Sequence, residues 1–143
     1  MLGVSPPAPF ALYAHLPWCR HVCPYCDFNV YAAAAPPEEA YGAALVAELD
    51  AWAAVAPWAG RRVCSVYLGG GTPSLFSPAA IDAFLAAVGR AFGVLPDAEV
   101  TLEANPGTVS RERLRGYRTA GVNRPSKKQA APSASSSQVR ANA

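Results

Sequence analysis

Charge is scarce in this sequence: Asp, Glu, Lys and Arg make up 15% of the 143 residues, and the formal net charge is +2. No face carries a dense Lys/Arg stripe interleaved with aromatics, which argues against nucleic acid or an anionic membrane as a partner. Long apolar runs are missing too. None reaches the ~18 residues that a membrane span requires, and the opening "MLGVSPPAPF" has neither a basic n-region nor a long apolar h-region; a cytoplasmic chain is the expectation. The length leaves no room for a second full domain, since domains commonly run ~50 to 250 residues. Cysteine is sparse and unevenly placed, with three of the four crowded into "CRHVCPYC". Without a secretory signal, that crowding points to a metal site rather than a disulfide framework.

What is present is a repeating order of elements. Residues 1–9, with three prolines and little to bury, form an expected loose leader. From Leu12 to Leu16 the alternation puts Leu12, Ala14 and Leu16 on one face and Tyr13 and His15 on the other, the period of a strand. After the cysteine stretch and Pro36–Pro37, Glu38 and Glu39 open a helix with Tyr41, Leu45, Leu49 and Trp52 on one stripe, closed by Pro57. "VCSVYL", ending at three glycines, reads as a buried strand. Ser77 and Pro78 are an N-cap and first-turn pair for a helix carrying Ile81, Phe84, Leu85, Val88 and Phe92 up to Gly93. "EVTLEANP" is a further strand, with Val100, Leu102 and Ala104 opposite Glu99, Thr101 and Glu103. Ser110 caps a third helix that ends at Gly121, and a fourth strand is expected from Val122.

Strand, loop and helix repeated three times is the signature of an α/β fold: a parallel sheet with helical crossovers, as a barrel or an open doubly wound sheet. In either, ligands bind at the carboxyl ends of the strands, where "PWC", "GGGTP" and "EANP" all fall. Residues 125–143 break the pattern with five Ser, five Ala and no aromatic, a low-complexity composition that argues for a disordered tail. Its charge is +3, while residues 1–124 carry nine Lys/Arg against ten Asp/Glu.

Cys19, Cys23 and Cys26 lie four and three residues apart, so one curling loop can present three thiolates to a single centre. Zinc with His15 or His21 as a fourth ligand is one solution. A 4Fe-4S cluster with one iron left open to a small chelating molecule is another. A disulfide plus a free thiol is disfavoured by compartment. Gly69, Gly70, Gly71 and Thr72 end a strand where backbone N–H groups can approach an amino-acid or nucleoside group. Glu103, one position before the "NP" turn, can accept from ribose hydroxyls or an ammonium. Tyr13 reads as packing or capping the core, and Cys64 as an inert buried residue.

These motifs together resemble the radical S-adenosylmethionine (SAM) family. Cys19, Cys23 and Cys26 match its CxxxCxxC, and "LYAHLPWCRHVCPYCDFNVY", "YLGGGTPSLF", "LEANPGTVS" and "AGVNR" are similar in order and spacing to the N-terminal part of its HemN/HemW group, which includes oxygen-independent coproporphyrinogen III oxidases and heme chaperones. The resemblance spans about Leu12 to Arg124. It implies a partial (β/α) TIM-like barrel, a 4Fe-4S cluster ligated by the three cysteines, and SAM chelated to the open iron. It further implies SAM contacts at Tyr13, Tyr25, Gly70, Gly71, Thr72 and Glu103, with heme or a porphyrin as the larger partner. The oxidases carry CxxxCxxCxC; Phe28 stands here at the last position, which favours the heme-chaperone branch. After Arg124 the family continues into another strand–helix series, whereas here "PSKKQAAPSASSSQVRANA" follows. The expectation is a truncated or frame-shifted product, with about three β/α units over residues 10–124, weak cofactor binding and no turnover.

Overall fold

The computed structural model describes residues 7–127. Residues 1–6 of the expected leader and 128–143 of the expected tail lie outside the described residues. Strand β1 spans Phe10–Leu16. The two-residue strands β2 (Trp18–Cys19) and β3 (Tyr31–Ala32) pair with each other and bracket the cysteine loop. Helix α1 runs Glu38–Ala53, strand β4 Val63–Gly70, helix α2 Pro78–Phe92, strand β5 Val94–Ala104, helix α3 Arg111–Thr119 and strand β6 Arg124–Lys127.

β1, β4, β5 and β6 form one parallel sheet in that order, so each strand lies beside the one before it. With no reversal of strand order, successive right-handed crossovers bring every helix to the same face. α1 accordingly packs on α2 and α2 on α3. This is the winding of a barrel wall and not of a doubly wound sheet. Beneath the helices lie Ala14 and Leu16 of β1, Val66 and Leu68 of β4, and Val100 and Leu102 of β5, in one core with Leu49, Ile81, Phe84, Val88 and Tyr117. Fully burying a Val or Leu side chain contributes about 1.5–3 kcal/mol, so this apolar face fixes the register of the whole sheet and thereby of the opposite face.

The expected elements are present, and their boundaries show where local signals fell short. Ser77 Oγ accepts from Ala80 N at 3.1 Å and Gly93 closes α2 at φ 70°, as an N-cap and a permissive C-terminal glycine should. Ser110 Oγ likewise accepts from Arg113 N at 3.1 Å. α1 ends at Ala53, four residues before Pro57. Trp52, expected on the buried stripe, is half exposed, because α1 leans on α2 and leaves a groove beside the edge strand β1. Cys64 is partly exposed rather than buried. The fourth strand begins at Arg124 rather than Val122, since Asn123 bonds back to β5: its N–H donates to Val100 O at 3.0 Å and its Oδ1 accepts from Val100 N at 2.8 Å. It also takes Pro125–Lys127, read from composition as tail, into the ladder with Leu102–Ala104.

Candidate functional site

The face of the sheet away from the helices carries Tyr13 and His15 from β1, Tyr67 and Gly69 from β4, and Thr101 and Glu103 from β5. Register sets Tyr13 level with Tyr67 and Thr101, and His15 level with Gly69. The Tyr13 and Tyr67 rings stack with centroids 6.0 Å apart, and Tyr67 Oη donates to Glu103 Oε1 at 2.8 Å. Burial raises the pKa of both phenols, and the Glu103 carboxylate raises each further; Tyr67 feels it through the hydrogen bond as well as through charge. Both hydroxyls therefore stay protonated and serve as donors. Tyr13, expected to pack or cap the core, is instead 57% exposed at this open face.

The cysteine loop leaves the end of β1 and is tied down at its base. Trp18 presses edge-on against Tyr41 of α1 at 4.5 Å and lies 5.8 Å from Phe76. Tyr31 N donates to Pro17 O at 2.7 Å and Ala33 N to Cys19 O at 2.9 Å, closing the loop on itself. Inside it, Cys26 N donates to Cys23 O at 2.9 Å, so Cys23 and Cys26 are the ends of one β-turn with Tyr25 at its tip, 65% exposed.

The glycine triplet is what lets this loop lie down. Gly71 N donates to Leu16 O at 2.9 Å and Thr72 N to Trp18 O at 2.7 Å, while Thr72 Oγ1 sits 3.4 Å from Cys19 Sγ. A Cβ at Gly71 would stand 2.6 Å from Trp18 O, and one at Gly70 would stand 2.6 Å from His15 Nδ1. The glycines thus serve close approach of chain to chain, with the Gly71 N–H committed to the end of β1 and the Thr72 N–H to the start of the loop. Thr72 is buried, and its contacts are with the first cysteine's segment.

His15, considered above as a fourth zinc ligand, has both ring nitrogens engaged. Tyr13 Oη donates to Nδ1 at 2.9 Å, and Nε2 lies 2.9 Å from Asn29 O, a pairing that needs Nε2 protonated. Its ring is a brace between β1 and the far limb of the loop. His21 is exposed. Among the described residues no three His, Cys, Asp or Glu side chains gather as a site for one metal ion.

The donor set suits an iron–sulfur cluster on chemical grounds. All four cysteines are free thiols, three of them on one anchored loop, and a hydroxyl stands beside the sulfur of the first. Tyr67 and the Asn29 carbonyl were not singled out from the sequence. For Tyr67 the signal was there, because alternation with Val66 and Leu68 puts it on the face of Glu103.

Comparison with known proteins agrees with this geometry. The chain is 46% identical over 117 residues to "Heme chaperone HemW" of Escherichia coli (strain K12), covering 81% of this chain and 30% of that protein. It is 45% identical over 126 residues to the mitochondrial "Radical S-adenosyl methionine domain-containing protein 1" of Bos taurus, covering 85% and 28%. Among solved structures, the Escherichia coli coproporphyrinogen III oxidase HemN, described as a radical SAM enzyme, superposes with a TM-score of 0.76 at 30% identity, over 85% of this chain and 28% of that one. The chain thus spans about 30% of the length of the relatives it matches. The family description "Radical SAM superfamily" matches residues 13–127, from the first tyrosine of the open face to the end of the last strand, and the chain belongs to that superfamily.

Proposed function

We propose that this chain is the cluster- and SAM-binding N-terminal portion of a HemW-like heme chaperone, acting in the cytoplasm. The observation that carries the reading is the anchoring of the CxxxCxxC loop, through Gly71 N, Thr72 N and Thr72 Oγ1, onto the carboxyl end of β4. Two further points support the chaperone branch over the oxidase branch: the 46% identity to a heme chaperone, and Phe28 at the position where the oxidases resemble one another in a further cysteine.

In this reading Cys19, Cys23 and Cys26 ligate a 4Fe-4S cluster. When bound, the cluster supplies the single electron that cleaves a C–S bond of SAM. The chain's own residues bind and orient. Glu103, held by Tyr67, faces the same rim and accepts from ammonium or ribose hydroxyls of SAM. Tyr13 and Tyr25 offer aromatic surface at the rim, and Gly70 and Gly71 keep its floor free of side chains. Thr72 holds the first cysteine. Among the described residues the sheet ends at β1 on one side and β6 on the other. A wall of four strands leaves the face between its edges open to water. The isolated chain is therefore expected to take up the cluster substoichiometrically and to turn over no substrate.

The test is a comparison of ligand and substrate on the anaerobically reconstituted protein. Titration with hemin should shift the Soret band to a saturating end point, while coproporphyrinogen III, given SAM and a reductant, should remain unchanged. A Soret band that does not move on adding hemin would overturn the chaperone assignment, and conversion of coproporphyrinogen III would replace it with the oxidase one.

A further inference from the structure

Arg113 of α3 is an unusual cation. Its Nη2 alone reaches Ser74 O at 3.0 Å, Leu75 O at 3.3 Å, Phe76 O at 2.7 Å and Tyr117 Oη at 2.9 Å. Its Nε is buried and has no partner. No carboxylate is ion-paired with it: among the described residues the one ion pair is Arg124 with Glu99, at 2.9 Å. A part-buried guanidinium whose contacts are carbonyl and hydroxyl dipoles, with no ion-paired carboxylate, costs free energy that a nearby anion would offset.

The surroundings provide the space and a second cation. Arg113 lines a cleft of about 280 Å³ together with Arg20, Ser74, Thr108 and Glu38. Arg20 is exposed, and its Nη1 donates to Gly107 O over a long 3.4 Å. Glu38 offsets one of the two positive charges and leaves the cleft with an excess of one; its oxygens accept from Ser77 N at 2.5 Å and Ser77 Oγ at 2.6 Å. The cleft lies behind the cysteine loop, on the side of α3, and shares no lining residue with the open face that carries Tyr13, Tyr67 and Glu103.

We propose that this cleft binds a phosphate-class oxyanion between Arg20 and Arg113. Guanidinium groups favour tetrahedral oxyanions because their fixed N–H forks match pairs of oxygens, and charge-assisted bonds of this kind are about twice as strong as neutral ones. Since Arg20 directly follows Cys19, an anion held there joins the first cysteine's segment to α3 and steadies the loop without touching its thiols. The site does not depend on the cluster, so the apo chain suffices for a test.

The full apo chain is titrated with inorganic phosphate, against sodium chloride at matched ionic strength, by calorimetry and by the thermal midpoint. Saturable phosphate binding is expected, with a midpoint that rises with phosphate and not with chloride. Arg20→Gln should weaken it about tenfold while leaving the phosphate-free midpoint unchanged, and Arg113→Lys should weaken it at least as much. A parallel titration with adenosine monophosphate separates two sources of the same chemistry: equal affinity marks a site for the phosphate group alone, and tighter binding marks a nucleotide phosphate. A phosphate response no different from chloride's, or binding unchanged in Arg20→Gln, overturns the proposal even if Arg113→Lys fails to fold.

Discussion

A single methyl group at Gly71 should detach the cysteine loop, whereas the same group at Gly42 should stabilise the chain. At Gly71 the new Cβ would meet Trp18 O at 2.6 Å and the carbonyl carbon of Pro17 at 2.7 Å. Carbon contacts are comfortable at about 3.5–4.0 Å, and these neighbours are backbone atoms that cannot rotate aside. The loop must therefore move, and the Gly71 N to Leu16 O and Thr72 N to Trp18 O bonds go with it. Two hydrogen bonds at about 1 kcal/mol each, plus overpacking of about 1–3 kcal/mol, give a cost of about 3–5 kcal/mol. Gly42 lies in α1 with nothing within 4 Å of its would-be Cβ, so Gly42→Ala gains the helix-propensity difference of about 0.8–1 kcal/mol. Thiol labelling of the apo protein together with thermal melting reads both. Gly71→Ala should label Cys19 faster and melt lower; Gly42→Ala should label at the parent rate and melt slightly higher. Parent-like labelling and melting of Gly71→Ala would refute the claim that the glycine triplet exists to seat the loop.

Two further perturbations probe the supports of the site. Tyr117 is 2% exposed, and Tyr117→Phe removes a hydroxyl whose one proton is shared between Phe76 O at 2.6 Å and Ser74 O at 3.0 Å; urea unfolding should show a loss of about 1–3 kcal/mol, and a loss under about 0.5 kcal/mol would mean that the 73–76 turn does not depend on this clamp. Glu103→Gln removes the charge that adds to burial in raising the phenol pKa of Tyr67 and Tyr13. Groups with raised pKa contribute stability that is complete below the ordinary tyrosine range and is lost as pH rises through the raised values. The variant should therefore shift the last part of the tyrosinate absorbance titration to lower pH and narrow the alkaline window of that stabilisation; an unmoved titration would contradict the Tyr67–Glu103 contact.

The alternation of Leu12, Ala14 and Leu16 with Tyr13 and His15, and the Ser77 and Ser110 caps, were legible in the sequence because each depends on neighbours a few residues away. The three cysteines and their fixed order relative to "GGGTP" and "EANP" were legible for another reason, since spacing along a loop limits what it can wrap. What stayed hidden came from contacts between distant segments. That His15 braces the loop through Asn29 rather than offering a metal ligand depends on the loop's return path, 14 residues on. The exposure of Trp52 depends on which way α1 leans, and helical periodicity carries no such direction. Composition misled at Pro125–Lys127, where backbone pairing with β5 admits residues that side-chain burial would not have recruited.

The central claim is that Cys19, Cys23 and Cys26 hold a SAM-responsive iron–sulfur cluster, and the most direct measurement is EPR of the dithionite-reduced protein after anaerobic iron–sulfide reconstitution, with and without SAM. The account predicts a reduced 4Fe-4S signal, substoichiometric in the isolated chain, that changes on adding SAM and is absent in Cys19→Ser. Stoichiometric zinc binding with no iron uptake, or a cluster signal indifferent to SAM, would contradict it.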